Sequence, residues 1–281
     1  MSLQKAMLCL GGAADSTHVW RSRRNAALRQ IYFPADMRKE DLIEFQAAWD
    51  TYKSTQTRAR ATTRLAGFLN FAHESGWIDK VPKLSRVKID EPPTLPLSTE
   101  EYQRLLDTIP STFKPEKAAR VRALVQLMRF SGLAIRDAVT LERRELVWDE
   151  ARKLHRVTTK RTKTGTDVSV IIPPAVSAEL LTVHNDHPDY FFWNTGTGKE
   201  SSAVTNWSHD LRKAFHAAGM QDGHSHQLRD TFAVALLEKG VPIEEVSKLL
   251  GHESIKTTEK HYAPWVQARQ DRLDSLVSAT F

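Results

Sequence analysis

The stretch His226–Tyr262 reads HQLRDTFAVALLEKGVPIEEVSKLLGHESIKTTEKHY. It sets His226 and Arg229 in an H-x-L-R spacing, then Leu250-Gly251-His252, then Tyr262 ten residues after His252. Asp230 to Glu238 has the apolar content of a packed helix, and Gly240 suits the position just past its end. Pro242 fits a first helical turn, where a missing N–H costs nothing. Ile243, Val246, Leu249 and Leu250 fall on one helical face, and Gly251 stops that helix. Ser254 is placed to cap one more short helix, with Tyr262 expected at its end. The spacing predicts packed helices that carry His226 and Arg229 at one end and hold His252 and Tyr262 nearby.

These residue types suit one kind of chemistry. A tyrosine hydroxyl, with a pKa of about 10, is a weak nucleophile at neutral pH and needs cationic surroundings and a base. Arginine offers paired donors that match a phosphate. Histidine accepts a proton or donates a hydrogen bond near neutrality. Two histidines, one arginine and one tyrosine suit attack on a phosphodiester that leaves a phosphotyrosine link.

H-x-L-R, then L-G-H, then Tyr, in this order and spacing, resembles the catalytic core of the tyrosine recombinases, the phage-integrase family. The resemblance implies a mainly α fold with a small antiparallel β-sheet, in two domains that clamp duplex DNA: a helical core-binding domain and an α+β catalytic domain.

The composition agrees with a globular DNA-binding protein. The chain has 281 residues, 41% apolar and 26% charged, with 40 Lys and Arg against 34 Asp and Glu, a net charge of +6. A pI near 9.4 favours a polyanionic partner. Cys9 is the one cysteine, which excludes an intramolecular disulfide and fits a reducing cytoplasm. No apolar run reaches membrane-spanning length. The run Ala6–Ala14 faintly resembles a signal peptide, but two glycines break it, and it reads as an ordinary N-terminus.

Near the start, Arg21, Arg23, Arg24 and Arg29 form a basic patch beside Trp20 and Tyr32. Helices are expected over Lys39–Trp49 and Thr57–Ser75, with Phe68, Phe71 and Trp77 read as core. Glu91-Pro92-Pro93-Thr94-Leu95-Pro96 reads as an extended spacer, since three prolines prevent helix. Ser98 and Glu101 then form a capping box. The expected division is a helical DNA-binding domain at 1–91 that looks short for the family, a linker at 92–97, and a catalytic domain at 98–281 ending in a tail helix.

Helices are expected at Thr99–Leu106 and Lys117–Phe130. The segment Ser131-Gly132-Leu133-Ala134-Ile135-Arg136-Asp137 then resembles the family segment carrying its first catalytic arginine, usually Gly-Leu-Arg-Ile-x-Glu. Gly132 and Asp137 match, but Ala134 stands where the arginine belongs. Arg136 is the nearest cation, and two helical residues lie about 200° apart, so it takes over the role only if this turn is not regular helix. Arg129 is the other candidate, and pairing with a nearby acid is the ordinary fate of Arg136.

A three-strand meander is expected over Glu145–Asp149, Leu154–Lys160 and Asp167–Ile172. Arg152, Lys153, Arg156, Lys160, Arg161 and Lys163 crowd it with no acid between Arg152 and Thr166, which suits a sugar-phosphate backbone. Lys163-Thr164-Gly165 resembles the family's hairpin lysine, with Lys160 as the alternative. Tyr190–Trp193 reads as a short buried strand, and Ala175–Val183 and Ala203–Ala218 as helices, the latter offering Arg212 and Lys213 to phosphate. Residues 263–281 read as an amphipathic tail.

The resemblance implies roles. Tyr262 attacks the scissile phosphorus to form a 3′-phosphotyrosine. Arg229, with Arg136 if it reaches, neutralises charge on the non-bridging oxygens. His226 assists deprotonation of Tyr262, His252 hydrogen-bonds the phosphate, Lys163 protonates the departing 5′-oxygen, and Asp137 orients its neighbours. The bond energy is kept in the link, so no cofactor, ATP or metal is expected. The implied partners are double-stranded DNA and further copies of the chain, a tetramer at synapsis, acting in the cytoplasm on the nucleoid. A catalytically weak DNA-binding relative and a type IB topoisomerase are the alternatives. A metal-dependent hydrolase using His224, His226, His252 and His261 fits poorly, because no H-E-x-x-H accompanies them.

Overall fold

A computed structural model describes residues 39–47, 55–88 and 96–279. The arginine patch at Arg21–Arg29, the Ala6–Ala14 run, the end of the first expected helix and most of the proline-rich spacer lie outside these residues. The chain divides into two compact units, Met1–Pro92 and Pro93–Phe281.

In the first unit, α1 (Lys39–Ala47) and α2 (Thr55–Glu74) meet through Leu42, Leu65, Phe68 and Leu69. Phe68 is core, as its pattern predicts. Phe71 and Trp77 are not: both are substantially exposed, their rings edge to face with centroids 5.4 Å apart. The periodicity could not tell an apolar pair that covers itself from one that packs inward.

The second unit begins at Ser98, whose hydroxyl and Glu101 form the expected capping box on α3 (Thr99–Thr112). Pro110 lies inside that helix, so it runs a turn and a half beyond the predicted end. Next, α4 (Pro115–Ser131) is the central helix. Val121, Ala123, Leu124, Val125, Leu127 and Met128 are all buried, more than one stripe's worth, because α3, the helix His226–Glu238 and others pack on different sides of it. The one-turn α5 (Ile135–Val139) follows, then a 3₁₀ turn at Arg143–Glu145.

The meander forms as β1 (Leu146–Asp149), β2 (Leu154–Lys160) and β3 (Asp167–Ile171), antiparallel in the order β1-β2-β3. Register puts Leu146, Val157 and Val170 in one row facing the core, while Val147, Arg156 and Ile171 line the other face. Then come α6 (Pro174–Leu181) and α7 (Glu200–Ala217). Tyr190–Trp193 makes no strand: Tyr190 bridges once to Glu142, while Phe191 and Phe192 are buried side chains of an irregular loop.

The decisive stretch folds as α8 (His226–Glu238), α9 (Ile243–Leu250) and α10 (Ile255–Ser278). Pro242 sits just before α9 rather than in its first turn. The last helix is not short. Tyr262 is its eighth residue, and α10 continues through Pro264 into the expected tail. The fold is mainly helical with a small antiparallel sheet.

Candidate active site

Leu250 ends α9, and its carbonyl is one of those a helix leaves without an internal partner. Gly251 takes φ +63°, turning the chain away so that this oxygen stays open to other donors. Nη2 of Arg229 donates to it at 2.7 Å. Nη1 of Arg229 donates to the carbonyl of Gly132, which ends α4 in the same left-handed turn. Two helix C-termini thus hold one arginine that is only 2% exposed, and their partial negative charge suits a cation.

The same Nη2 lies 2.9 Å from Nε2 of His252. A guanidinium only donates, so Nε2 is the acceptor and the ring proton is on Nδ1, which donates to Thr258 Oγ1 at 2.7 Å. Burial first, then the positive charges of Arg229 and Arg161, lower the His252 pKa to about 3, so the ring is neutral. Burial, with Arg161 next, lowers Arg229 to about 10. Thr258 is fully buried and hydroxylic, so it can also donate to Nδ1 and let the ring carry its proton on Nε2.

From α10, the buried Tyr262 hydroxyl donates to Asp230 Oδ1 at 2.7 Å. Nε2 of His226 stands 3.5 Å from that oxygen, one helical turn away on α8. Burial, and then the Asp230 carboxylate, raise the Tyr262 pKa well above its usual value. Burial also lowers that of His226, with Asp230 opposing. The network therefore has two halves, Arg229–His252–Thr258 and His226–Asp230–Tyr262, which adjoin at the consecutive residues Arg229 and Asp230, and the Arg229 charge acts on Tyr262 across them. Asp230 and Thr258 complete the halves, and the sequence reading passed over both. Their signals were there: Asp230 is four residues after His226, and Thr258 faces His252 from one turn before Tyr262.

The cations of the hairpin divide. Arg152 and Arg156 pair with Asp149 at 3.2 Å, Lys153 with Glu150, and Lys160 with Asp167 at 3.8 Å. These acids lie just outside the stretch that reads as acid-free; the β1–β2 turn brings Asp149 and Glu150 onto Arg152 and Lys153, and strand pairing brings Asp149 to Arg156 and Asp167 to Lys160. Lys163 is exposed at the tip and makes no ion pair among the described residues. Arg161 turns inward, its Nε 2.7 Å from Asp137 and its Nη1 2.7 Å from the Leu250 carbonyl. Arg212 and Lys213 are exposed on α7, with Lys213 over the Phe113 ring.

Arg136 is not brought into the network. Ala134 is the residue before α5, Arg136 is in that regular turn, and its exposed side chain pairs with Glu200 at 3.3 Å. Arg129 lies over the Tyr102 and Phe130 rings. Among the described residues no three His, Cys, Asp or Glu side chains group closely enough to hold a metal ion. No helix among them is long and apolar enough to cross a membrane.

The profile described as phage integrase family matches residues 96–267. The chain belongs to the phage integrase family. It is similar to the tyrosine recombinase XerA of Thermococcus kodakarensis, 29% identical over 189 residues, covering 66% of this chain and 63% of that protein. It is also similar to XerC of Mesorhizobium japonicum, 27% identical over 235 residues, covering 80% and 74%. The match thus spans less than two thirds of the length of the Thermococcus kodakarensis relative. The fold of this integrase-family chain matches a lambda integrase dimer bound to a COC′ core site, with TM-score 0.67 and 16% identity over 93% of this chain and 95% of that one. It matches the Tn1549 transposon integrase with a circular intermediate DNA at TM-score 0.65 and 15% identity, covering 96% and 97%.

Proposed function

We propose that this integrase-family chain is a site-specific DNA recombinase that cuts and rejoins duplex DNA through a 3′-phosphotyrosine. One observation carries the reading: the two adjoining sets of contacts, Arg229 with His252, and His226 with Tyr262 through Asp230. Tyr262 Oη attacks phosphorus, the P–O5′ bond breaks, and the tyrosine proton passes to Asp230 with His226 beside it. Arg229 carries the charge that grows on the non-bridging oxygens, the largest electrostatic demand in phosphoryl transfer. His252 donates from Nε2 once the phosphate replaces it as the partner of Arg229. Lys163 protonates the 5′-oxygen. A 5′-hydroxyl of another strand then reverses the step, so neither ATP nor metal is called for.

The DNA partner is supported by relatives described as DNA-bound dimers, such as the lambda integrase, and by recombinase names among the similar proteins. In this reading residues 1–91 form the second DNA-binding domain, 92–97 the linker and 98–281 the catalytic domain. Four copies assemble on paired sites, in the cytoplasm. Arg152, Lys153, Arg156, Lys160, Arg212 and Lys213 lie along the phosphate backbone. The test is covalent capture: nicked duplexes from a randomised library, which cannot religate, should accumulate as protein–DNA adduct resistant to denaturant. Absence of any adduct with the wild-type chain would overturn the reading.

A further inference from the structure

The family segment at Gly132–Asp137 lacks its arginine, and neither Arg136 nor Arg129 reaches the network. A different arginine does. Arg161 leaves the end of β2, and its side chain is only 11% exposed, unlike Arg152, Lys153 and Lys160 of the same hairpin, which are more than half exposed. Its Nη1 donates to the Leu250 carbonyl at 2.7 Å, the oxygen that also accepts Arg229 Nη2 at 2.7 Å. The two guanidinium nitrogens are therefore held within two hydrogen-bond lengths of each other. We propose that Arg161 is the second phosphate-binding arginine of this site and does what the arginine absent at Ala134 would otherwise do. The inference rests on the recombinase reading above.

Three further observations favour this role over a purely structural one. Asp137, the acid retained three residues after Ala134, is buried and grips Arg161 Nε at 2.7 Å while accepting the Thr162 N–H at 2.9 Å. It fixes both the side chain and the turn that delivers it. The stem of Arg161 lies along Gly251: a Cβ there would meet Arg161 Cγ at 2.7 Å, so the glycine of Leu-Gly-His makes room for it. Arg161 Nη2 donates no hydrogen bond among the described residues, and neither does the buried Nε, which is ion-paired with Asp137. Two like charges this close oppose each other, and a phosphate that gains charge as it becomes pentacovalent favours both. Each guanidinium can offer a pair of N–H donors to its oxygens.

The experiment uses the full chain and a nicked duplex enriched by covalent capture on the wild type. Arg161→Ala should slow adduct formation by about 10²–10³-fold, the usual cost of one charged donor. Arg161→Lys should fall between, since it keeps the charge but loses the fork. The deciding arm is the same duplex with a neutral methylphosphonate at the scissile position. There the charge that Arg161 counters is gone, and the Arg161→Ala deficit should shrink by at least tenfold. An equal deficit on both substrates would show that Arg161 only shapes the site and would overturn the proposal. So would wild-type rates in Arg161→Ala, or a loss confined to Arg136→Ala. If the wild type forms adduct and Tyr262→Phe does not, the recombinase reading stands whichever way Arg161 falls; if the wild type forms none, both fall.

Discussion

The Tyr262 hydroxyl and His226 Nε2 address one and the same oxygen, Asp230 Oδ1, at 2.7 and 3.5 Å. A proton leaving the tyrosine therefore has an acceptor already in contact, and that acceptor has a histidine beside it. The same carboxylate, together with burial, keeps the tyrosine protonated at neutral pH. As the proposed nucleophile, Tyr262 is held in position but dormant, until positive charge and a phosphate change the balance.

Tyr262→Phe should form no covalent adduct while binding DNA as the wild type does, because only the reacting oxygen is removed. Asp230 loses a donor in the same change, so stability should fall by about 1–3 kcal/mol. Urea unfolding and denaturant-resistant adduct on one preparation check both. Adduct surviving in the variant would place the nucleophile elsewhere, with Tyr190 next to be replaced.

Asp230→Asn keeps an oxygen for the tyrosine hydroxyl but removes the proton acceptor. Adduct formation should slow by about 10²–10⁴-fold, the range for a positioned general base, and recover partly at higher pH. Single-turnover rates across pH on the nicked duplex decide this. A variant as fast as the wild type would mean that the carboxylate only restrains Tyr262.

His252 titrates near 6.5 when unfolded and near 3 when folded. Below pH 6.5 the unfolded chain takes up a proton that the folded chain refuses, so stability drops as the pH falls toward 3 and is complete above 6.5. His252→Asn should flatten that part of the acid limb relative to the wild type. Parallel limbs in denaturant titrations between pH 4 and 8 would show that His252 is not the group responsible.

Lys163→Ala should slow cleavage of ordinary DNA strongly, since an alkoxide leaves poorly without a proton. Sulfur in the 5′-bridging position leaves as a stable thiolate and should restore most of the rate. An equal defect on both leaving groups would remove Lys163 from the role of acid and make it a positioning contact.

Gly251→Ala should cost about 1–2 kcal/mol for the left-handed backbone. It should also impair adduct formation beyond that, since the new Cβ would stand 2.6 Å from Val168 Cγ2 and 2.7 Å from Arg161 Cγ. Thermal unfolding read beside adduct rate separates the two effects. A stable variant with the wild-type rate would deny the link between this turn and Arg161.

Much of this was legible in sequence because its signals are local. The capping box at Ser98, the stop at Gly251 and the alternation in β3 each depend on neighbours within a few residues. The spacing from His226 to Tyr262 runs over 37 residues and is legible instead as an ordered motif. The destination of Arg161 depends on a carbonyl 89 positions away, and no periodicity encodes that. The pairing of Arg156 with Asp149 depends on strand register, which brings an acid from outside the basic run. Tyr262 reads as the end of a short helix, yet it sits inside a long one that continues through Pro264, because packing of α10 on α8 and α9 overrides the local penalty.

The atom that links the two arginines is a main-chain oxygen, and this affects how substitutions will be read. Replacing Leu250 with another apolar residue leaves its carbonyl in place, so a scan of side chains would rank position 250 as packing alone. The polar function would register one residue later, at Gly251, or at the arginines themselves. Replacing the amide between residues 250 and 251 with an ester, which weakens the carbonyl as an acceptor without altering any side chain, would reveal it directly.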